Sequence, residues 1–110
     1  TCSYTIKNEN IELIYKNTYN FINNELSSYD ISKSYTTSKE SADKEKYKTE
    51  INNEYLNISK YKIVNNYKEN LLTYSIDLSS YPEGFTPLYN KSTVMITIKN
   101  KETLKKWTCK

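Results

Sequence analysis

Residues 72–78 read Leu-Thr-Tyr-Ser-Ile-Asp-Leu, and this stretch decides the fold class. Its leucine, tyrosine and isoleucine residues alternate strictly with threonine, serine and aspartate. Because successive side chains of a strand point to opposite faces, all the apolar side chains lie on one face. One apolar and one polar face are typical of an antiparallel sheet that is covered on one side. We therefore expect a strand here, with Asp77 on its exposed face.

The same alternation occurs three times near the N terminus, in residues 4–7, 11–21 and 25–35. The first two stretches are separated by Asn8-Glu9-Asn10 and the last two by Asn23-Asn24. Asparagine tolerates the positive φ angles that tight turns require. These residues therefore predict a three-stranded antiparallel meander.

A helix is predicted between this meander and the strand at 72–78. Thr37 and Glu40 have the spacing of a capping box, which marks a helix start. Up to about residue 57 the chain is rich in lysine and glutamate, which we interpret as the solvated face of the helix. Apolar side chains recur at spacings of four, four and three residues, as on one helix face: Tyr47, Ile51, Tyr55 and Ile58.

The second half of the chain predicts a hairpin, a rigid loop and a short helix. Tyr61 and Ile63 lead a strand that pairs with 72–78. The single glycine and both prolines lie within 81–89, which is typical of a loop with rigid turns. Val94, Ile96 and Ile98 form a last apolar run that we assign to a strand, and 101–107 to a helix with Leu104 and Trp107 on one side.

The order of these elements predicts an α+β fold. It is an antiparallel sheet of about five to six strands, built from a meander, a helix, a hairpin and a short C-terminal helix, with the helices on one face. No internal repeat or linker is visible, so residues 1–110 are expected to form a single domain.

The composition excludes several classes of function. The chain has 110 residues with no histidine, which excludes Ser-His-Asp triads, Cys-His pairs and histidine metal ligands. One glycine excludes a glycine-rich phosphate loop. The net charge is only +3, and the longest basic cluster is Lys105-Lys106, so we expect no nucleic-acid partner. The excess of lysine, asparagine, isoleucine and tyrosine indicates an A/T-rich genome rather than a charge-based function.

The two cysteines, Cys2 and Cys109, lie at opposite ends of the chain. Domain termini often lie close together, so we expect a disulfide between them, worth roughly 4–5 kcal/mol for so long a loop. It predicts a location outside the cytoplasm. The alternatives are two free thiols, or a lipid-modified Cys2 with Cys109 free, against which Thr1 argues. The absence of an initiator methionine and a signal peptide predicts that a targeting segment has been removed.

Two groups of residues are candidates for a functional site. Glu50 and Glu54 share a helix face, but we interpret them as solvated acids, and no catalytic residue, metal site or cofactor is predicted. Aromatic side chains on a preorganised loop are suited to protein or glycan contact. Packing of these rings into one end of the core is the interpretation that we favour over partner contact. The candidate partner-binding residues are Tyr81, Phe85, Leu88 and Tyr89.

A resemblance to a known family covers nearly the whole chain. It rests on Cys2 followed by hairpins over 4–35, a helix near 38–57, a hairpin over 60–79 that contains Tyr74-Ser75-Ile76-Asp77, and a closing segment, 104–110, that ends in Thr-Cys-Lys. In these features the chain resembles the YehR-like small lipoproteins of Gram-positive bacteria and enterobacteria, and the related cysteine-tied domains of low-G/C Gram-positive bacteria.

The chain departs from this family in two places. Residues 81–98 hold more aromatic side chains than expected, and Trp107 stands near a position where glycine is usual. The family has no established activity, so no site residue is carried over from it. The resemblance implies an exported domain that is associated with the cell envelope.

We therefore expect an exported, lipoprotein-like bacterial envelope domain that acts as a non-catalytic binding or structural module. The alternative is a pilin-like or inhibitor-type extracellular accessory subunit. The expected partner is a protein or a cell-wall component at the cell surface. Membrane attachment is expected only through a trimmed N-terminal anchor or lipid.

Overall fold

A six-stranded antiparallel sheet organises the described residues. The computed structural model describes residues 1–7, 11–37 and 42–109, so the predicted turn at 8–10 and Glu40 of the capping box lie outside the described residues. The sheet order is β4-β5-β3-β2-β1-β6. The strands are β1 (Cys2–Lys7), β2 (Ile11–Ile22), β3 (Glu25–Thr37), β4 (Val64–Lys68), β5 (Leu71–Asp77) and β6 (Thr108–Cys109). The helices are α1 (Ala42–Ile58) and α2 (Met95–Leu104), with a 3₁₀ turn at Ser59–Tyr61. The predicted α+β fold is confirmed.

The strand register places the apolar residues on one face, here called the inner face. Tyr19 lies opposite Tyr29, which lies opposite Ile76 on the next strand, and residues directly opposite share a face. Both helices contribute side chains that contact this face. The strand residues buried on it include Ile11, Leu13, Leu26, Ile31, Tyr35, Leu72 and Tyr74.

The outer face of the sheet is polar. The Asp30 carboxylate accepts hydrogen bonds from Ser75 Oγ at 2.6 Å and from Asn20 Nδ2 at 3.1 Å. Asn65 Nδ2 donates to the same serine hydroxyl at 2.8 Å. The polar side chains of this face therefore form hydrogen bonds with one another and with solvent, as the alternation at 72–78 predicts.

The predicted strand over residues 94–98 and the bounds of the last helix are wrong. Residues 95–104 form α2, in which Ile98 and Glu102 are buried four residues apart, whereas Ile96 is exposed. A short apolar run fits both the two-residue period of a strand and the 3.6-residue period of a helix. The burial of Ile98 and Glu102, four residues apart on one helix face, favours the helix.

The helix ends before Trp107, contrary to the predicted range. Lys106 is in the left-handed region with φ 67° and donates its backbone N–H to Thr103 O at 2.9 Å. The Trp107 N–H donates to Glu102 O at 3.0 Å. These two bonds form a Schellman motif, which normally has glycine at the left-handed position. The chain then turns into β6.

The strand predicted to start at Tyr61 also begins later than expected. A 3₁₀ turn ends at Tyr61, and Lys62 has φ 57°, so β4 begins at Val64. The left-handed residue redirects the chain before it can pair with β5.

A disulfide links β1 to β6, the strand pair at one edge of the sheet. Cys2 of β1 lies opposite Cys109 of β6, with 4.0 Å between their Cα atoms. The predicted bridge is confirmed, and both alternatives with unpaired thiols are wrong. Because it crosses from β1 to β6, the bridge holds the segment that follows α2 against the sheet.

Candidate functional site

Glu54 of α1 reaches two side chains of the inner face. Its Oε1 accepts a hydrogen bond from the Tyr74 hydroxyl at 2.7 Å, and its Oε2 forms an ion pair with Lys33 Nζ. The side chain is 22% exposed, so its charge is only partly solvated. The carboxylate therefore bridges β3 and β5 from above.

The helical stripe explains why Glu54 points toward the sheet. It lies three residues after Ile51 and four before Ile58, both of which are buried. Residues at these spacings share a helix face. Glu50, one turn earlier, accepts a hydrogen bond from the Tyr15 hydroxyl at 2.8 Å but remains exposed. The interpretation of Glu54 as a solvated acid is therefore wrong, whereas that of Glu50 is confirmed.

A cavity of about 340 Å³ opens beside Glu54, and we call it the inner-face cavity. Asn17, Lys33 and Tyr74 form its floor on β2, β3 and β5. Lys105 and Trp107 contribute from the segment after α2. It lies between helix, loop and C-terminal segment and is lined by both charged and aromatic groups.

The aromatic walls of the inner-face cavity are held by packing. Trp107 stacks on Tyr4 with ring centroids 6.3 Å apart and an interplanar angle of 19°. Phe85, which also lines the cavity, makes an edge contact with Tyr61 at 5.2 Å. Rings that are supported in this way lose little freedom when a ligand contacts them.

A second carboxylate, Glu102 of α2, is completely buried on the same face. Its Oε1 accepts hydrogen bonds from Tyr89 at 3.0 Å and Tyr19 at 3.2 Å. Its Oε2 is buried without a hydrogen-bond partner among the described residues. Asn17 Nδ2 donates to the Tyr19 hydroxyl at 3.2 Å, which links this cluster to the floor of the cavity.

Burial keeps the tyrosines of both clusters in the hydroxyl form. It raises the pKa of Tyr74, and the negative charge of Glu54 raises that pKa further. Burial likewise raises the pKa of Tyr19 and of Tyr89, and the Glu102 carboxylate adds to both shifts. These three hydroxyls therefore stay protonated and donate to Glu54 and Glu102.

The predicted partner-binding loop is divided by the structure. Tyr81 and Leu88 are 45% and 46% exposed, whereas Phe85 is half-buried and Tyr89 is buried against Glu102. Phe85 and Leu88 line the inner-face cavity. Tyr81, Leu88 and Tyr89 line a larger cavity of about 620 Å³, which shares Leu88 with the inner-face cavity.

Sequence reasoning missed the polar floor of the inner-face cavity. One signal for it was present, because Lys33 lies between Ile31 and Tyr35 at the inward positions of β3. A lysine in register with buried residues needs a partner. The identity of that partner, Glu54, is not visible in the pattern.

The comparisons give no relative from which a function is transferred. No protein-family model, curated protein or solved structure matches this chain. Over the described residues, the helices are too short and too polar to cross a membrane. Within the same ranges, no group of three or more histidine, cysteine or acidic side chains is arranged to hold a metal ion.

Proposed function

We propose that this chain is an exported binding domain whose ligand site is the inner-face cavity. One observation carries the proposal: Lys33, Glu54 and Trp107 converge on one cavity from a strand, a helix and the C-terminal segment. Ligand sites are concave, measure about 300–1,000 Å³, and combine apolar walls with a few placed polar groups. The inner-face cavity has these properties.

The polar groups are oriented before any ligand arrives. Glu54 is held by Tyr74 and Lys33, and the Lys33 ammonium also lies 5.0 Å from the centroid of the Tyr15 ring. We assign the cavity a role in binding without catalysis, because the carboxylate that lines it is already engaged by two side chains of the sheet.

The disulfide supports a site of action outside the reducing cytoplasm. Bridges such as Cys2–Cys109 persist in oxidising compartments. We propose that the domain works at the cell surface and binds a component of the cell wall. The resemblance to YehR-like lipoproteins agrees with this location and stays a prediction.

The test maps binding of small envelope components onto the domain. The panel contains monosaccharides, amino acids and short peptides, and the readout is the NMR signals of Asn17 and of Trp107, the single tryptophan. We expect at least one compound to shift both signals. A Lys33→Met variant should lose the response, whereas Lys16→Met, an exposed lysine of β2, should keep it. A panel that shifts neither signal, or shifts only distant residues, contradicts the proposal.

A second candidate is an accessory subunit that binds a protein through the 81–89 loop. It is favoured by the exposure of Tyr81 and Leu88 beside the 620 Å³ cavity. A Tyr81→Ala variant, which leaves the inner-face cavity intact, should then lose binding to source-cell envelopes without a change in melting temperature. Under the first proposal this variant keeps most envelope binding, and Lys33→Met loses it.

A further inference from the structure

We propose that the ligand of the inner-face cavity is a single saccharide ring that carries a carboxylate. This inference rests on the proposed function and names the class of ligand. Three properties of the cavity point to it: its aromatic walls, its hydrogen-bonding floor and the excess of ammonium groups over carboxylates in its lining.

The aromatic walls suit the apolar face of a sugar ring. A saccharide ring presents C–H groups on its faces and hydroxyls around its edge. Trp107 and Phe85 offer flat apolar surface, and both are held by neighbouring rings. The volume of about 340 Å³ lies near the lower limit of ligand pockets, about 300 Å³, which favours one ring over a chain of rings.

The floor suits the hydroxyls at the edge of the ring. Asn17 is buried, and its amide has two donor hydrogens and an acceptor oxygen, of which one donor is directed to Tyr19. Glu54 has about four acceptor positions, of which Tyr74 and Lys33 occupy two. Glu54 Oε2 is itself buried beside Lys33, so the remaining hydrogen-bonding capacity for hydroxyl groups lies with Glu54 Oε1 and the Asn17 amide.

The charge balance of the lining calls for an anionic group on the ligand. Two ammonium groups, Lys33 and Lys105, line the cavity together with one carboxylate, Glu54. Lys33 is paired with Glu54, whereas Lys105 is paired only loosely, at 3.7 Å, with Glu102, which lies outside the lining.

The donors of Lys105 are open to a ligand. Its Nζ lies 3.7 Å from Glu102 Oε1, which exceeds the hydrogen-bond range of about 2.7–3.2 Å. That oxygen already accepts from two tyrosines, and the Lys105 side chain is 54% exposed. A ligand carboxylate at the rim of the cavity would pair with the Lys105 ammonium, whose contact with Glu102 is weak.

The experiment compares acidic sugars with their neutral counterparts by tryptophan fluorescence and calorimetry. The probes are D-glucuronate against D-glucose and N-acetylmuramate against N-acetylglucosamine, with acetate alone as a further control. We expect at least one acid to bind about tenfold more tightly than its neutral counterpart. The two pairs distinguish a uronic acid from a lactyl-ether sugar as the source of the carboxylate.

A Lys105→Gln variant should abolish the preference for the acid, whereas Lys99→Gln, an exposed lysine of α2 outside the cavity, should preserve it. Equal binding of acid and neutral sugar, or binding of acetate as tight as that of the acid, overturns the inference and leaves the cavity as a binding site. Sugars that leave Trp107 unchanged, while another compound of the NMR panel shifts it, also overturn the inference alone. If no compound of either set shifts Trp107, both proposals fail.

Discussion

Glu54 and Glu102 place the same chemical group in two different environments. Each is a helix carboxylate that accepts a hydrogen bond from a tyrosine hydroxyl of the inner face, Tyr74 for Glu54 and Tyr19 for Glu102. Glu102 is completely buried, with a weak contact to Lys105. Glu54 is partly exposed, is paired with Lys33, and lines a cavity.

The difference comes from what covers each carboxylate. Glu102 and the fully buried Ile98 lie on the buried face of α2. Tyr89 of the preceding loop packs on Tyr19, with 5.6 Å between the ring centroids. Glu54 instead lines the inner-face cavity, together with Phe85, Thr86 and Leu88 of the loop. The same contact thus anchors a helix in one place and, under our proposal, orients a carboxylate of a ligand site in the other.

The largest expected effect comes from breaking the disulfide. A Cys2→Ser/Cys109→Ser double variant should lose about 4 kcal/mol of unfolding free energy, because a loop of this length becomes free in the unfolded chain. The measurement is urea unfolding followed by far-UV circular dichroism. Since the bridge holds the segment that contains Trp107, the tryptophan emission should shift before the sheet unfolds. If the tryptophan emission and the circular dichroism change together, the position of Trp107 in the cavity wall does not depend on the bridge. As a control, reductant should not change the stability of the double variant further.

Replacing Glu102 should have the next largest effect. A Glu102→Ala variant leaves the buried hydroxyls of Tyr19 and Tyr89 without their acceptor, at a cost of about 3 kcal/mol. A Glu102→Gln variant keeps an acceptor oxygen and should retain most of the stability. Both are measured by urea unfolding. Equal stability of Glu102→Ala and the native chain means that this carboxylate does not anchor α2.

The corresponding change at Glu54 should be the smallest in stability. A Glu54→Ala variant should lose about 1 kcal/mol, since Lys33 and Tyr74 gain access to water through the cavity. Ligand binding, measured by tryptophan fluorescence, should fall much more than stability does. A loss of stability as large as that of Glu102→Ala would show that the two carboxylates have the same structural role.

Much of the fold follows from local patterns. Period-two alternation predicted the meander and β5, and the stripe at Tyr47, Ile51 and Ile58 predicted α1, because side-chain direction repeats along a regular backbone. The same reasoning failed at residues 94–98, where three apolar residues fit a strand or a helix. Contact of Ile98 and Glu102 with the rest of the fold decided the outcome.

The candidate site was less predictable than the fold. Phe85 and Leu88 of the predicted loop line the inner-face cavity, but Tyr89 belongs to the buried Glu102 cluster. Lys33, Glu54 and Trp107 lie on three separate elements, and nothing in their spacing indicates that they meet. The sequence analysis also predicted that Glu50 and Glu54 are both solvated.

The sequence by itself determined the one-sided sheet, the amphipathic helix and a disulfide that joins the two ends, since each depends on periodicity or on residue type. The tertiary structure alone decided which carboxylates are buried and which hydroxyls they accept from. The hydrogen bond between Tyr19 and Glu102 joins residues 83 positions apart. The free energy of such a contact depends on burial and on a partner brought from a distant segment, and neither is encoded in the local pattern.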